Sequence, residues 1–116
     1  MILDDIKTKL QEIDPNVFYG MVDNIMNETV WDYIVFERKN FSVNENKTGY
    51  SHKYTVHIIR ENFIPEGIDL DVIAKMCEIP GMRLTSTGGE FTYVAKPNTN
   101  IVVEMLSLEF VKAVRK

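Results

Sequence analysis

The chain has a single cysteine, Cys77, among 116 residues, so no disulfide can form within it. Stability must come from a core instead. At this length folding hides about two-thirds of the surface that the unfolded chain exposes, which suffices for one domain. Basic charge is also short: 13 Lys and Arg stand against 17 Asp and Glu, for a net charge of −4 and a pI of about 5.1. That balance argues against nucleic-acid binding as the main activity. The one basic concentration, Lys112, Arg115 and Lys116, reads as a solvated end. No apolar run approaches the ~20 residues of a membrane span. The opening MILDDIK places acids where a signal peptide needs basic residues. The expectation is synthesis in a reducing cytoplasm with no membrane step.

Groupings that carry chemistry are scarce as well. The two histidines, His52 and His57, lie five apart on one expected strand, so they face opposite sides and cannot share a metal. No serine sits in a nucleophile-elbow context, and no phosphate-loop motif is present. Gly88-Gly89 reads as a turn or bulge, and Asp69 and Asp71 as a cap and a first-turn charge. Cys77 falls at an apolar helical position and is expected to be a small buried hydrophobe. No enzyme, metal or cofactor is expected.

What is present is an ordinary globular pattern, 45% hydrophobic and 26% charged. Ile2, Leu3, Ile6, Leu10 and Ile13 recur at helical spacing, and Asp14-Pro15-Asn16 stops the helix. Val17–Val22 reads as a first strand and 23–29 as a polar loop. Trp31–Phe36 is nearly all apolar and suits a strand covered on both faces. Residues 41–49 (FSVNENKTG) suit a long, mobile hairpin loop. From Tyr50 to about Glu61, Tyr54, Val56 and Ile58 alternate with Lys53, Thr55 and His57, which predicts a third strand. A second helix is expected over Leu70–Glu78, capped by Asp69 and stopped by Pro80-Gly81. A fourth strand follows, interrupted at residues 86–89. The last, Ile101 to about Val111, turns Leu106, Leu108 and Phe110 to one face and Val103, Met105, Ser107 and Glu109 to the other.

The order is therefore α-β-β-β-α-β-β. Strands without helical crossovers imply an α+β fold, a mainly antiparallel sheet with two helices packed on one face. The 41–49 hairpin and the final strand should project beyond so small a core, as suits sheet extension between subunits. Tyr33 and Phe36 read as core, whereas Trp31, beside a polar stretch, fits either core or interface. Glu104, among Val102, Val103, Met105 and Leu106, is the most unexpected charge. It either pairs with a base of a neighbouring subunit or lies on a solvent face.

The stretches Trp31–Phe36, Arg60–Gly67, Ile79–Arg83 and Lys96–Asn100 followed by Val102–Met105 resemble small proteins from the structural gene clusters of long-tailed bacteriophages and prophages. Within these the chain is similar to the tail-terminator and tail-completion group of the head–tail junction, from about Trp31 to Phe110. The resemblance implies a tail-terminator-like fold and a self-associated six-fold ring. Such a ring caps the tail tube, ends its polymerisation and meets the head connector, while DNA passes the lumen without sequence-specific binding. Partners would be the tail tube protein and a head-completion protein; the location would be the virion neck, after assembly in the host cytoplasm. Candidate contacts between subunits are Phe41, Val43 and Asn46 of the hairpin, Glu104, Leu106, Leu108 and Phe110 of the last strand, and Trp31. Alternatives are another neck component or a monomeric prophage-encoded binding module.

Overall fold

A computed structural model describes residues 2–20, 31–43, 49–96 and 98–115. The elements are α1 (Ile2–Gln11), β1 (Val17–Tyr19), β2 (Tyr33–Val43), β3 (Gly49–Glu61), α2 (Ile68–Cys77), β4 (Met82–Ala95) and β5 (Val102–Arg115). Both the α+β class and the expected element order hold. The five strands form one sheet in the order β1-β2-β3-β5-β4. Every pairing is antiparallel except β1 with β2, which is parallel.

The alternation seen around Tyr54–Ile58 sets the two faces. Tyr54, Val56 and Ile58 of β3 join Ile34 and Phe36 of β2 and Leu106, Leu108 and Phe110 of β5 in one cluster. The inner residues of both helices, Ile6, Leu10, Val72 and Met76, complete it. Residues 23–29, expected as a loop, lie outside the described residues.

Local chemistry explains where the helices start and stop. Asp4 and Asp5 lie in the first turn of α1 and Lys9 in its last, each favourable to the helix dipole. The helix ends where the amides of Ile13 and Asp14 both close on the Leu10 carbonyl. The Asp14 carboxylate then accepts the Asn16 amide at 2.9 Å and turns the chain into β1. α2 departs from expectation at its start. Gly67, at φ 97°, occupies the N-cap, and no side chain caps the helix, so Asp69 is a first-turn charge and not the cap. Its apolar positions also surround the helix more fully than its buried face can use. Val72 and Met76, one turn apart, are buried, while Leu70 and Cys77 are exposed. The expectation of a buried Cys77 is thereby corrected.

Two irregularities shape the sheet. The β2–β3 register runs Arg38↔Tyr54 and then Asn40↔Lys53, so Lys39 is an extra residue, a β-bulge. The β4–β5 register jumps from Leu84↔Phe110 to Gly89↔Leu108, so the interruption foreseen at 86–89 is an irregularity inside one strand, not a turn. There β4 passes so close to β5 that a Cβ on Gly89 would lie 2.7 Å from Leu108 Cδ2 and 3.3 Å from the Ser107 carbonyl. The 41–49 expectation needs a larger correction. Phe41, Ser42 and Val43 are strand, paired with His52, Ser51 and Tyr50, because cross-strand pairing outweighs their loop-like composition. β2, β3 and β5 thus form a long ribbon, and the molecule measures 52 × 27 × 24 Å.

Candidate functional site

Two features of the sheet can carry function: its open edges and the polar face away from the helices. β4 pairs only with β5, so its outer edge has no ladder partner among the described residues. Phe91, Tyr93 and Val94 of this edge strand are exposed. On the far side β1 covers only Ile34–Phe36 of β2, leaving Glu37–Val43 without an outer ladder partner among the described residues. Near the end of this second edge Phe41 is 63% exposed. Its ring stacks on His52, with centroids 5.8 Å apart and planes 25° apart, and Tyr50 meets both rings edge-on.

The residues expected at a subunit contact are placed unevenly. Phe41 is well presented. The Val43 side chain and the whole of Asn46 lie outside the described residues. Leu106, Leu108 and Phe110 are buried beneath the helices in the chain's own core, so they are committed to packing within the subunit. β5 itself lies between β3 and β4, so it is not an outer strand of the sheet. Trp31 is buried in a second cluster with Tyr33, Val35, Ile59 and Val103 on the open face. Its indole nitrogen has no hydrogen-bond partner among the described residues, and Lys96 Nζ lies 5.8 Å from the ring centroid. Glu104 follows neither expectation: one carboxylate oxygen accepts the Ile64 amide at 2.7 Å, tying the β3–α2 connection to β5. The same carboxylate takes the Tyr93 hydroxyl hydrogen bond, which pushes that phenol's pKa up.

The polar face holds an arrangement that the sequence pattern did not reveal. His57 of β3 lies between Glu37 of β2 and Ser107 of β5. Its Nε2 is 2.8 Å from Glu37 Oε1 and its Nδ1 is 2.7 Å from Ser107 Oγ. Ser107 also lines a cavity of about 460 Å³, with Lys39, Thr55, Gly88, Gly89, Glu90 and Glu109. Beside it Lys39 Nζ donates to Glu109 at 2.5 Å, and Lys53 Nζ lies 3.8 Å from the same carboxylate. The hydrogen bond from Lys39, then the charges of both lysines, hold the Glu109 carboxyl below the usual Glu range. The three relay residues are 20 and 50 positions apart in sequence. Only the insertion of β5 beside β3 brings them together.

Among the described residues no group of three His, Cys, Asp or Glu could hold a metal ion, and no helix is long and apolar enough to cross a membrane. The chain matches no protein-family model and no curated protein sequence.

Proposed function

We propose that this chain is a structural protein of the head–tail junction of a long-tailed phage or prophage, forming a ring that caps the tail tube. The ring would end tube polymerisation and offer its other face to the head connector. The observation that carries this reading is the pair of unlike edges, on opposite sides of one sheet, that have no ladder partner among the described residues. Joining subunits head to tail requires two different, complementary surfaces on each copy, and a closing rotation makes a ring. Solitary sheet proteins blunt their edges with charge or proline. Phe91–Ala95 of β4 carries neither, and Phe91, Tyr93 and Val94 are exposed. On the opposite edge Glu37, Arg38 and the Lys39 bulge guard the near part, so strand addition there falls to residues 40–43, where Phe41 is exposed.

The test is solution mass by light scattering together with electron microscopy, alone and with tail tubes. The expected result is rings that sit on tube ends. Val94→Lys should give folded monomers, and replacing residues 44–48 by a two-residue turn should do the same. Rings that persist in both variants would remove these surfaces from the interface. A wild-type monomer that never adheres to tubes would remove the reading itself. The burial of Leu106, Leu108 and Phe110 favours a second reading, a monomeric prophage-encoded binding module, because it withdraws three expected contacts. The same mass measurement separates the two.

A further inference from the structure

We propose that Ser107 is an activated nucleophile, with His57 as its general base and Glu37 as the positioning residue, and that it accepts acyl groups from activated esters. The proposal is independent of ring formation and rests on geometry. A serine hydroxyl is a poor nucleophile until a neighbouring base takes its proton, and the base must be held in one tautomer. The 2.8 Å contact with the Glu37 carboxylate places the imidazole hydrogen on Nε2, because the carboxylate can only accept. Nδ1 then carries a lone pair facing Ser107 Oγ at 2.7 Å. Both distances fall within the range required of nucleophile, base and orienting group.

Room for a substrate lies on the side of Ser107 away from His57. The strand order puts His57 on one flank and Glu90 of β4 on the other, each the cross-strand partner of Ser107. Between β4 and β5 the cavity opens beside Gly88, where a side chain would meet nothing within 4 Å. Gly88 belongs to a stretch that the register leaves without a β5 partner. A phenyl ester or a short, activated alkyl ester fits about 460 Å³ easily. Charges around the reacting carbon are Lys39 and Lys53, both drawn to Glu109, and the carboxylate of Glu90 on the β4 side. They favour a developing oxyanion less than a pair of aimed amides would, so the substrate needs a good leaving group.

The step balances without a further reagent. Ser107 Oγ forms a bond to the ester carbonyl carbon as its proton passes to His57 Nδ1. The ester C–O bond then breaks; an alkoxide leaves with the proton from Nδ1, while a phenoxide leaves without it and Nδ1 gives that proton to solvent. Water reverses the sequence: its proton passes to Nδ1, the hydroxide attacks the acyl carbon, and Ser107 Oγ leaves with the proton. Titratable groups facing this site are Glu37 and Lys39 of β2, Lys53 of β3, Glu109 of β5 and Glu90 of β4.

Two probes test the assignment on the intact chain. The first is a fluorophosphonate, with the labelled peptide identified by mass spectrometry. The second is 4-nitrophenyl acetate, followed by nitrophenol release. The expected result is one fluorophosphonate adduct on Ser107 and a burst of nitrophenol of about one equivalent. Both should vanish in Ser107→Ala and slow on the order of 10²-fold in His57→Gln, the general-base contribution. Glu37→Gln should slow both less, with the loss in the acylation rate and not in KM, and Glu37→Asp should restore part of it; a merely structural role would leave that rate unchanged in both variants. Circular dichroism checks that each variant is folded. An unlabelled Ser107 in the wild-type protein overturns the proposal whatever the variants do. So does labelling of equal rate in folded His57→Gln.

Discussion

Removing the carboxylate of Asp14 should be among the most damaging single changes to this fold. Asp14 Oδ2 meets Arg60 at 2.8 Å, and the two side chains are only 7% and 11% exposed. Arg60 also donates to the Ile59 carbonyl at 2.9 Å and to the Tyr33 carbonyl at 3.4 Å, while Asp14 accepts the Asn16 amide. The pair therefore joins the turn after α1 to the end of β3. Asp14→Ala leaves a guanidinium buried without its counter-charge, at a cost of about 3–5 kcal/mol. At about 2.1 cal/mol/K of unfolding entropy per residue, each kcal/mol lowers the melting temperature of a chain this size by about 4 °C. The expected drop is thus ~12–20 °C. Arg60→Met combined with Asp14→Ala removes both charges and should recover most of it, because a buried pair replaced by apolar groups is close to neutral. Thermal unfolding of the two single variants and the double gives the coupling energy directly. A drop under about 1 kcal/mol for Asp14→Ala, the value of a solvated pair, would refute the reasoning. So would a double variant that simply adds the two single losses.

Three further outcomes follow from the packing and the charges. Gly89→Ala should destabilise by about 1–3 kcal/mol, since its Cβ must displace Leu108 inside a filled core; denaturant unfolding at constant m-value reads it. Cys77, exposed at the end of α2, should react with one equivalent of an aromatic disulfide reagent in the native protein, with no slow phase awaiting unfolding. The carboxyls of Glu61, Glu78 and Glu109 sit below the ordinary Glu range, held there chiefly by hydrogen bonds from Lys96, Lys9 and Lys39. Their folded pKa values are depressed, so the unfolded chain binds more protons. The stability they add is present above the ordinary Glu value of about 4.3 and is lost as pH falls through the lower folded values. Melting curves taken from neutral pH downward should show it, and high salt should shrink the effect.

How much of this was legible in the sequence depends on whether neighbours or distant strands decide. β3 was readable because Tyr54, Val56 and Ile58 alternate with Thr55 and His57, and one face is buried. α1 was readable because Ile6 and Leu10 lie one turn apart amid charge. Phe41–Val43 was not: Ser and Asn beside it look like loop, and only the facing residues of β3 make it strand. α2 misled for the opposite reason, since Leu70 and Cys77 are apolar but lie off the line through Val72 and Met76. For the candidate site the missing quantity was strand order. Glu37, His57 and Ser107 belong to three strands, and nothing local to any of them requires β5 to lie beside β3.

The extra residue at Lys39 makes β2 a parity device. Beyond it, Phe41 lies opposite His52 and shares that residue's face of the ribbon. If Lys39 took Lys53 as its partner, every later residue would slide by one, and Phe41 would turn to the other face. Excising Lys39 would instead straighten the strand and leave Phe41 where it is. Whether Lys39 is bulged or paired thus decides which face of the ribbon Phe41 occupies. That single position controls which face of the ribbon carries an exposed aromatic ring, with the core left unchanged.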